Sequence, residues 1–331
     1  MLEPSVIALI DGDDINGLLR VVDGLCEGRR WDDLLDLADR CEDATERGKQ
    51  LWPIAAHIDY RIALEASPEF AGGVLIPESG RFSLGPLTEV AASTHTWDEL
   101  APYIDTPQVA AYVAQERVLR GEDLTGDDAA HPELLGLPLH LEEWEPVYPL
   151  ATYTASEVEV AEPWAAQAPV TETSPARADE VSEGEITDAL LDLVQPWVAE
   201  SNGAARSVVV DGTASGAAGL LSVGGLRMGQ IEPADVLQLL AWAAASGGAY
   251  GRRRGAAFGR STAWYTAALL SSLDPPAHPD ELIGAMSEMR WFRWDEGAPE
   301  KGWVLRIAVE DPDEGWAAAI AATDLIEEDE D

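Results

Sequence analysis

Arg252, Arg253, Arg254 and Arg260 stand close together in a chain of 331 residues with a formal net charge of −40. A guanidinium offers a planar fork of donors that matches a carboxylate or a phosphate, so clustered arginines suit the holding of an anion. On a helix, consecutive residues point about 100° apart, so the three adjacent arginines cannot all serve one ligand. Arg252 or Arg253 can share or adjoin the face of Arg260. Arg252, Arg253 and Arg260 are therefore the candidate anion-binding residues, for a small molecule carrying phosphate or carboxylate. The competing expectation is that internal carboxylates take them up, since 61 Asp and Glu face only 21 Lys and Arg.

The same stretch holds Gly247, Gly251, Gly255 and Gly259 at fourfold spacing. Glycines so spaced fall near one face of a helix and let a partner helix approach backbone to backbone. Each costs about 1 kcal/mol against Ala inside a helix. The stretch is therefore expected to form either a close helix crossing at these four glycines or a helix–loop–helix break near Gly247-Gly248.

No catalytic constellation emerges. Ser93, Ser215 and Ser261 lie outside a GxSxG elbow. The five histidines (His57, His95, His131, His140 and His278) show no metal-ligand spacing with one another or with a cysteine. His57 reads as a packed residue of an apolar helix and His95 as a neighbour of a helix cap. Cys26 and Cys41 lack CxxC spacing and read as small buried hydrophobes. Asp211 to Gly219 follows a strand-like run, but its glycines match neither GxGxxG nor a phosphate-binding loop ending in Lys. A plain strand-to-helix turn is expected there. No cofactor and no metal site are implied. Trp291, Trp294, Trp303 and Trp316 gather near the C-terminus, where packing is expected and an aromatic cleft is the alternative.

The elements that must position these residues follow from periodicity. Residues 1–125 read as an all-α domain, a bundle or an irregular helical array. Trp31, Leu34, Leu35 and Ala38 define one buried helical face. Thr96 and Glu99 have capping-box spacing, and Thr106-Pro107 reads as an N-cap with Pro at the first helical position. The Gly-, Pro- and Ser-rich segment 66–85 reads as a loop with a short hairpin. Residues 126–183 read as an acidic Pro- and Ala-rich linker with one strand at 150–160, because few large apolar side chains are available to offset the entropy of ordering. Residues 184–326 read as an α+β domain with a small sheet. Its strands are the SVVVD run ending at Asp211, RWFRW (290–294) and WVLRIAV (303–309), with WAAAIAATDL (316–325) as a last strand or helix. Residues 327–331 read as a charged, disordered tail. The fold class is α+β overall.

The acidic balance weighs against nucleic acid and against anionic membrane surfaces as partners. No apolar run reaches the ~18 residues of a membrane span, and no basic, apolar leader opens the chain, so a cytoplasmic location is expected. Two passages, GPLTEVAASTHTWDEL (85–100) and the second half from AWAAASGGAYGRRRGAAFGRSTAW through RWFRWDEGAPEKGWVLRIAVEDP, resemble an uncharacterised family of actinobacterial proteins. That family has no assigned activity, so the resemblance brings no catalytic residue and no cofactor. It implies a bacterial cytoplasmic protein. The functional expectation is a non-catalytic interaction or scaffold protein, with another protein as partner. The alternative is an anion-binding or enzymatic C-terminal domain, with a phosphate- or carboxylate-bearing ligand.

Overall fold

The structure, a computed structural model, describes residues 3–77, 79–80, 82–182, 184–298 and 302–325. The expected charged tail at 327–331 lies outside them. The chain forms two compact units. Both are built from α+β elements, with the helices gathered early and the main sheet late.

The first unit comprises Met1–Leu134 and Ala151–Glu159. It contains helices α1 (Pro4–Asp11), α2 (Ile15–Glu27), α3 (Trp31–Glu46), α4 (Trp52–Glu65), α5 (Pro68–Gly73), α6 (Leu87–Thr94), α7 (Trp97–Leu100) and α8 (Pro107–Leu119). A two-stranded ribbon of β1 (Ala151–Tyr153) and β2 (Val158–Val160) follows. Of the face predicted for α3, Trp31, Leu34 and Ala38 are buried, together with Leu37 and Cys41, while Leu35 is half-buried. Thr96 and Glu99 close the capping box at α7. Pro107 occupies the first turn of α8, but the Thr106 side chain makes no cap bond. Where a hairpin was expected between 66 and 85, the described residues contain α5 and no strand. Pro68 pre-sets the first helical φ, and its missing N–H is one that would have no partner within the helix.

The second unit comprises Leu135–Leu150 and Val160–Asp331. Its strands are β3 (Thr171–Glu172), β4 (Asp179–Val181), β5 (Ala204–Asp211), β6 (Arg227–Ile231), β7 (Arg290–Asp295), β8 (Trp303–Asp311) and β9 (Trp316–Asp324). They form one antiparallel sheet in the order β3-β6-β7-β8-β9-β5-β4. The helices are α9 (Gly184–Asp192), α10 (Gln195–Ala199), α11 (Ala214–Leu221), α12 (Pro233–Ala245), α13 (Ala256–Leu270) and α14 (Pro279–Glu288). The last apolar segment is a strand, because its small residues pair along the full length of both β5 and β8. Trp291 and Trp294 are core residues, each about 1% exposed. Their indole N–H groups donate to Met286 and Ile307 carbonyls.

The expected linker needs correction. Among residues 126–183, β3 and β4 supply the two opposite edges of the sheet, and residues 173–178 join them as a strap across α11. Ala178 and Pro175 fit where Gly216 and Gly219 have no side chain. Such ordering needs main-chain pairing and close small-residue contact rather than large apolar side chains. That is why composition gave no sign of it. Short, exposed, acidic edge strands also discourage further strand addition.

Candidate functional site

The arginine–glycine stretch is not a continuous helix. α12 ends at Ala245 and α13 begins at Ala256. The chain between them loops back, with the Arg254 N–H donating to the Ala245 carbonyl at 2.8 Å. Of the two expectations, the helix–loop–helix break near Gly247-Gly248 is the one formed, and four glycines on one helical face with arginines fanned at a helical angle are not. Gly248 and Gly255 are needed for their backbone, with φ of +79° and +99°. Gly247 and Gly251 lie against each other within the loop. Only Gly259 is a helix-crossing glycine: a Cβ there would sit 2.3 Å from the Ala241 carbonyl oxygen of α12. Asp324, wholly buried at the end of β9, pins the loop by accepting from the Ala249 N–H at 2.5 Å.

The candidate anion site is also corrected, because Arg260 is turned inward. Its side chain and that of Glu145 are both 0% exposed and form a bidentate pair, at 2.5 Å from Nη2 to Oε1 and 2.9 Å from Nε to Oε2. Further guanidinium donors go to the carbonyls of Pro138 and His140. Glu145 also accepts from Trp264 Nε1 at 3.1 Å and from the Tyr148 hydroxyl at 2.6 Å. Burial is the main reason the Tyr148 phenol is held well above its ordinary range, followed by the Glu145 charge. Trp144 packs on Trp264 with centroids 5.3 Å apart. This is a structural clasp that fastens segment 135–150 onto α13, with no room for an external anion. Arg254 pairs with Glu200 at 2.8 Å. Arg252 and Arg253 also engage neighbours.

The turn after β5 is likewise filled from within. Thr213 caps α11, and Glu310 of β8 accepts from the Ala214 N–H at 2.9 Å, where a phosphate would bind. Thr213, Ser215 and Glu310 border a groove of about 380 Å³. His95 behaves as expected of a cap neighbour, bonding through its ring to the Ala66 and Ala91 carbonyls. His57 is half-buried, and burial followed by the Arg61 charge pushes its pKa down. Burial pushes both thiols, Cys26 and Cys41, up to about 11. Among the described residues no group of three His, Cys, Asp or Glu is arranged to hold a metal ion, and no helix is long and apolar enough to cross a membrane.

A second surface, in the first unit, lay outside the residues singled out from the sequence. Trp52 and Phe82 are 39% and 58% exposed, with ring centroids 4.1 Å apart. Ser83 ties the Phe82 loop to α4 by donating to the Ala56 carbonyl at 3.2 Å. Trp52, Ala56 and Asp59 lie along one side of α4 by helical spacing. Burial, then the charges of Glu42 and Asp39 on α3, raise the Asp59 carboxyl to about 7. The only sequence signal was Trp at the start of an otherwise apolar helix. Its partner lies 30 positions away in a loop.

Asp59 has a consequence for stability. Its proton is held more tightly in the folded chain than in the unfolded one. Its stabilising contribution is complete below the ordinary carboxyl pKa of 3.8 and is lost as pH rises through about 7. Asp59→Asn is expected to stabilise the protein at pH 8, on the order of 2–4 kcal/mol, with little effect near pH 4. Urea unfolding across this pH range checks the sign. A variant whose gain does not grow with pH refutes the assignment.

No curated protein and no solved structure matches the chain. The model of a family of unknown function, DUF6183, matches residues 16–325, and the chain belongs to that family.

Proposed function

We propose that this protein acts by binding another protein rather than by chemistry, and that the partner docks on the α4 side of the first unit. The observation that carries this reading is the exposed Trp52–Phe82 pair, set on the helix face that also bears Asp59. Exposed apolar patches on otherwise polar surfaces mark interaction sites. Asp39 and Glu42 are exposed beside Asp59, in a chain of net charge −40. The complementary partner is a basic protein surface with an apolar centre. A Lys or Arg brought against Asp59 would favour its charged form. Binding would therefore release a proton and strengthen as pH rises through about 7.

The test begins with capture of partners from the native host by the wild type and by a Trp52→Ala/Phe82→Ala variant. The captured protein is then purified and its affinity measured directly. The double variant should bind it at least about tenfold more weakly. Binding should also weaken with added salt, and Asp59→Asn should flatten its pH dependence. Equal affinity for the double variant, or affinity indifferent to salt, defeats the proposal. An anionic ligand held jointly by Arg252, Arg253 and Arg260 has lost Arg260 to Glu145 and has no observation in its favour.

A further inference from the structure

One side of the main sheet is incompletely covered. α11 is eight residues long and packs over β5, β8 and β9. Toward β6 and β7 it leaves a groove of about 380 Å³, within the size range of small-molecule sites. Met228 and Phe292 give this groove an apolar floor. Phe292 is flanked across the sheet by Gln230 on one strand and by Ala308 on the other. The Phe292 ring rests on the buried cluster that includes Met228 and Ala308 and is itself only half-buried. Gln230, Thr213 and Ser215 give the groove a polar rim, and the strap passes along it at Thr173 and Ala176.

The charge of the lining decides the class of ligand. Among the described residues, no Lys, Arg or His lines the groove. Its one carboxylate, Glu310, is already satisfied: Oε2 accepts from the Ala214 N–H at 2.9 Å and Oε1 from Arg290 at 3.2 Å. The groove therefore has neither a cation for a phosphate nor an uncompensated anion for an amine. What it offers is an aromatic ring, a thioether, three hydroxyls and a carboxamide. The Gln230 carboxamide presents a donor beside an acceptor, the pattern that pairs with the edge of a nucleobase. Base–aromatic stacking is worth about 1–3 kcal/mol.

We propose that this groove binds an uncharged planar heteroaromatic ligand, a nucleobase or nucleoside. The base stacks on Phe292 and pairs its edge with Gln230, and the Thr213–Ser215 hydroxyl pair, bonded to each other at 3.1 Å, turns its one remaining hydroxyl hydrogen to a sugar. The corresponding nucleotide is disfavoured, because the N–H at the start of α11 is taken by Glu310 and the chain is strongly acidic. This site is independent of the partner surface on the first unit.

Calorimetric titration of the whole protein with adenosine, uridine and adenosine monophosphate tests the proposal. At least one nucleoside should bind saturably, and adenosine monophosphate should bind at least about tenfold more weakly than adenosine. Phe292→Leu and Gln230→Ala should each weaken nucleoside binding about tenfold. Gln230 is exposed, so its variant keeps the fold and decides the matter if Phe292→Leu does not fold. Absence of saturable binding by both nucleosides overturns the proposal. So does binding of adenosine monophosphate as tight as that of adenosine, or nucleoside binding unchanged in Gln230→Ala.

Discussion

Arg260→Ala is expected to destabilise the second unit by about 3–5 kcal/mol, the usual cost of leaving one charge of a buried pair without its partner. The reason lies in what Glu145 becomes. Its carboxylate is 0% exposed and would keep only neutral donors, the Trp264 indole, the Tyr148 hydroxyl and the Glu142 N–H. The Pro138 and His140 carbonyls would lose their guanidinium donors as well. Glu145→Ala should be comparably damaging, because it strands a buried guanidinium. The double change Arg260→Met/Glu145→Leu should recover most of the loss, since apolar replacement of both partners removes the desolvation cost along with the attraction. Urea denaturation followed by tryptophan fluorescence reads all three. Single variants within about 1 kcal/mol of the wild type would show the pair to be solvated.

Gly259→Ala should also be costly, by about 1–3 kcal/mol, although Ala is the better helix former. Its Cβ would meet the backbone oxygen of Ala241 at 2.3 Å and the Ala245 side chain at 2.9 Å. A backbone oxygen cannot rotate away, so α12 and α13 would have to separate along their contact. Gly284, in the interior of α14, is the matched control, because a Cβ there meets nothing within 4 Å. Gly284→Ala should therefore stabilise by about 0.5–1 kcal/mol. Opposite signs for the same chemical change, read by thermal or urea unfolding, would show that contact distance and not helix propensity decides. Two stabilising results would remove the close crossing.

The elements with one buried face were legible in the sequence. The 3.6-residue spacing in α3, the capping box at α7 and the apolar runs of β5, β7 and β8 each placed an element. What stayed hidden depends on distant partners. Arg260 and Glu145 are 115 positions apart, and nothing in either neighbourhood marks the pairing. From sequence alone the arginine was as well suited to a ligand as to a carboxylate of its own chain. The groove was half visible: Thr213 and Ser215 lie in the glycine-rich turn considered for phosphate. Glu310, which closes that turn to anions, comes from a strand 96 residues on. Phe82 sits in a segment whose composition announces a loop but not which helix the loop returns to.

The strap between β3 and β4 ties the two outermost strands of the sheet together through one short run of chain. Those strands are two and three residues long and have little pairing of their own to hold them. A single cut between Thr173 and Ala178 would leave each attached at one end only. Both rims of the sheet would then lose their covering in one event, together with the contacts that press Pro175 and Ala178 onto α11. In a protease digest these two rims would behave as one element.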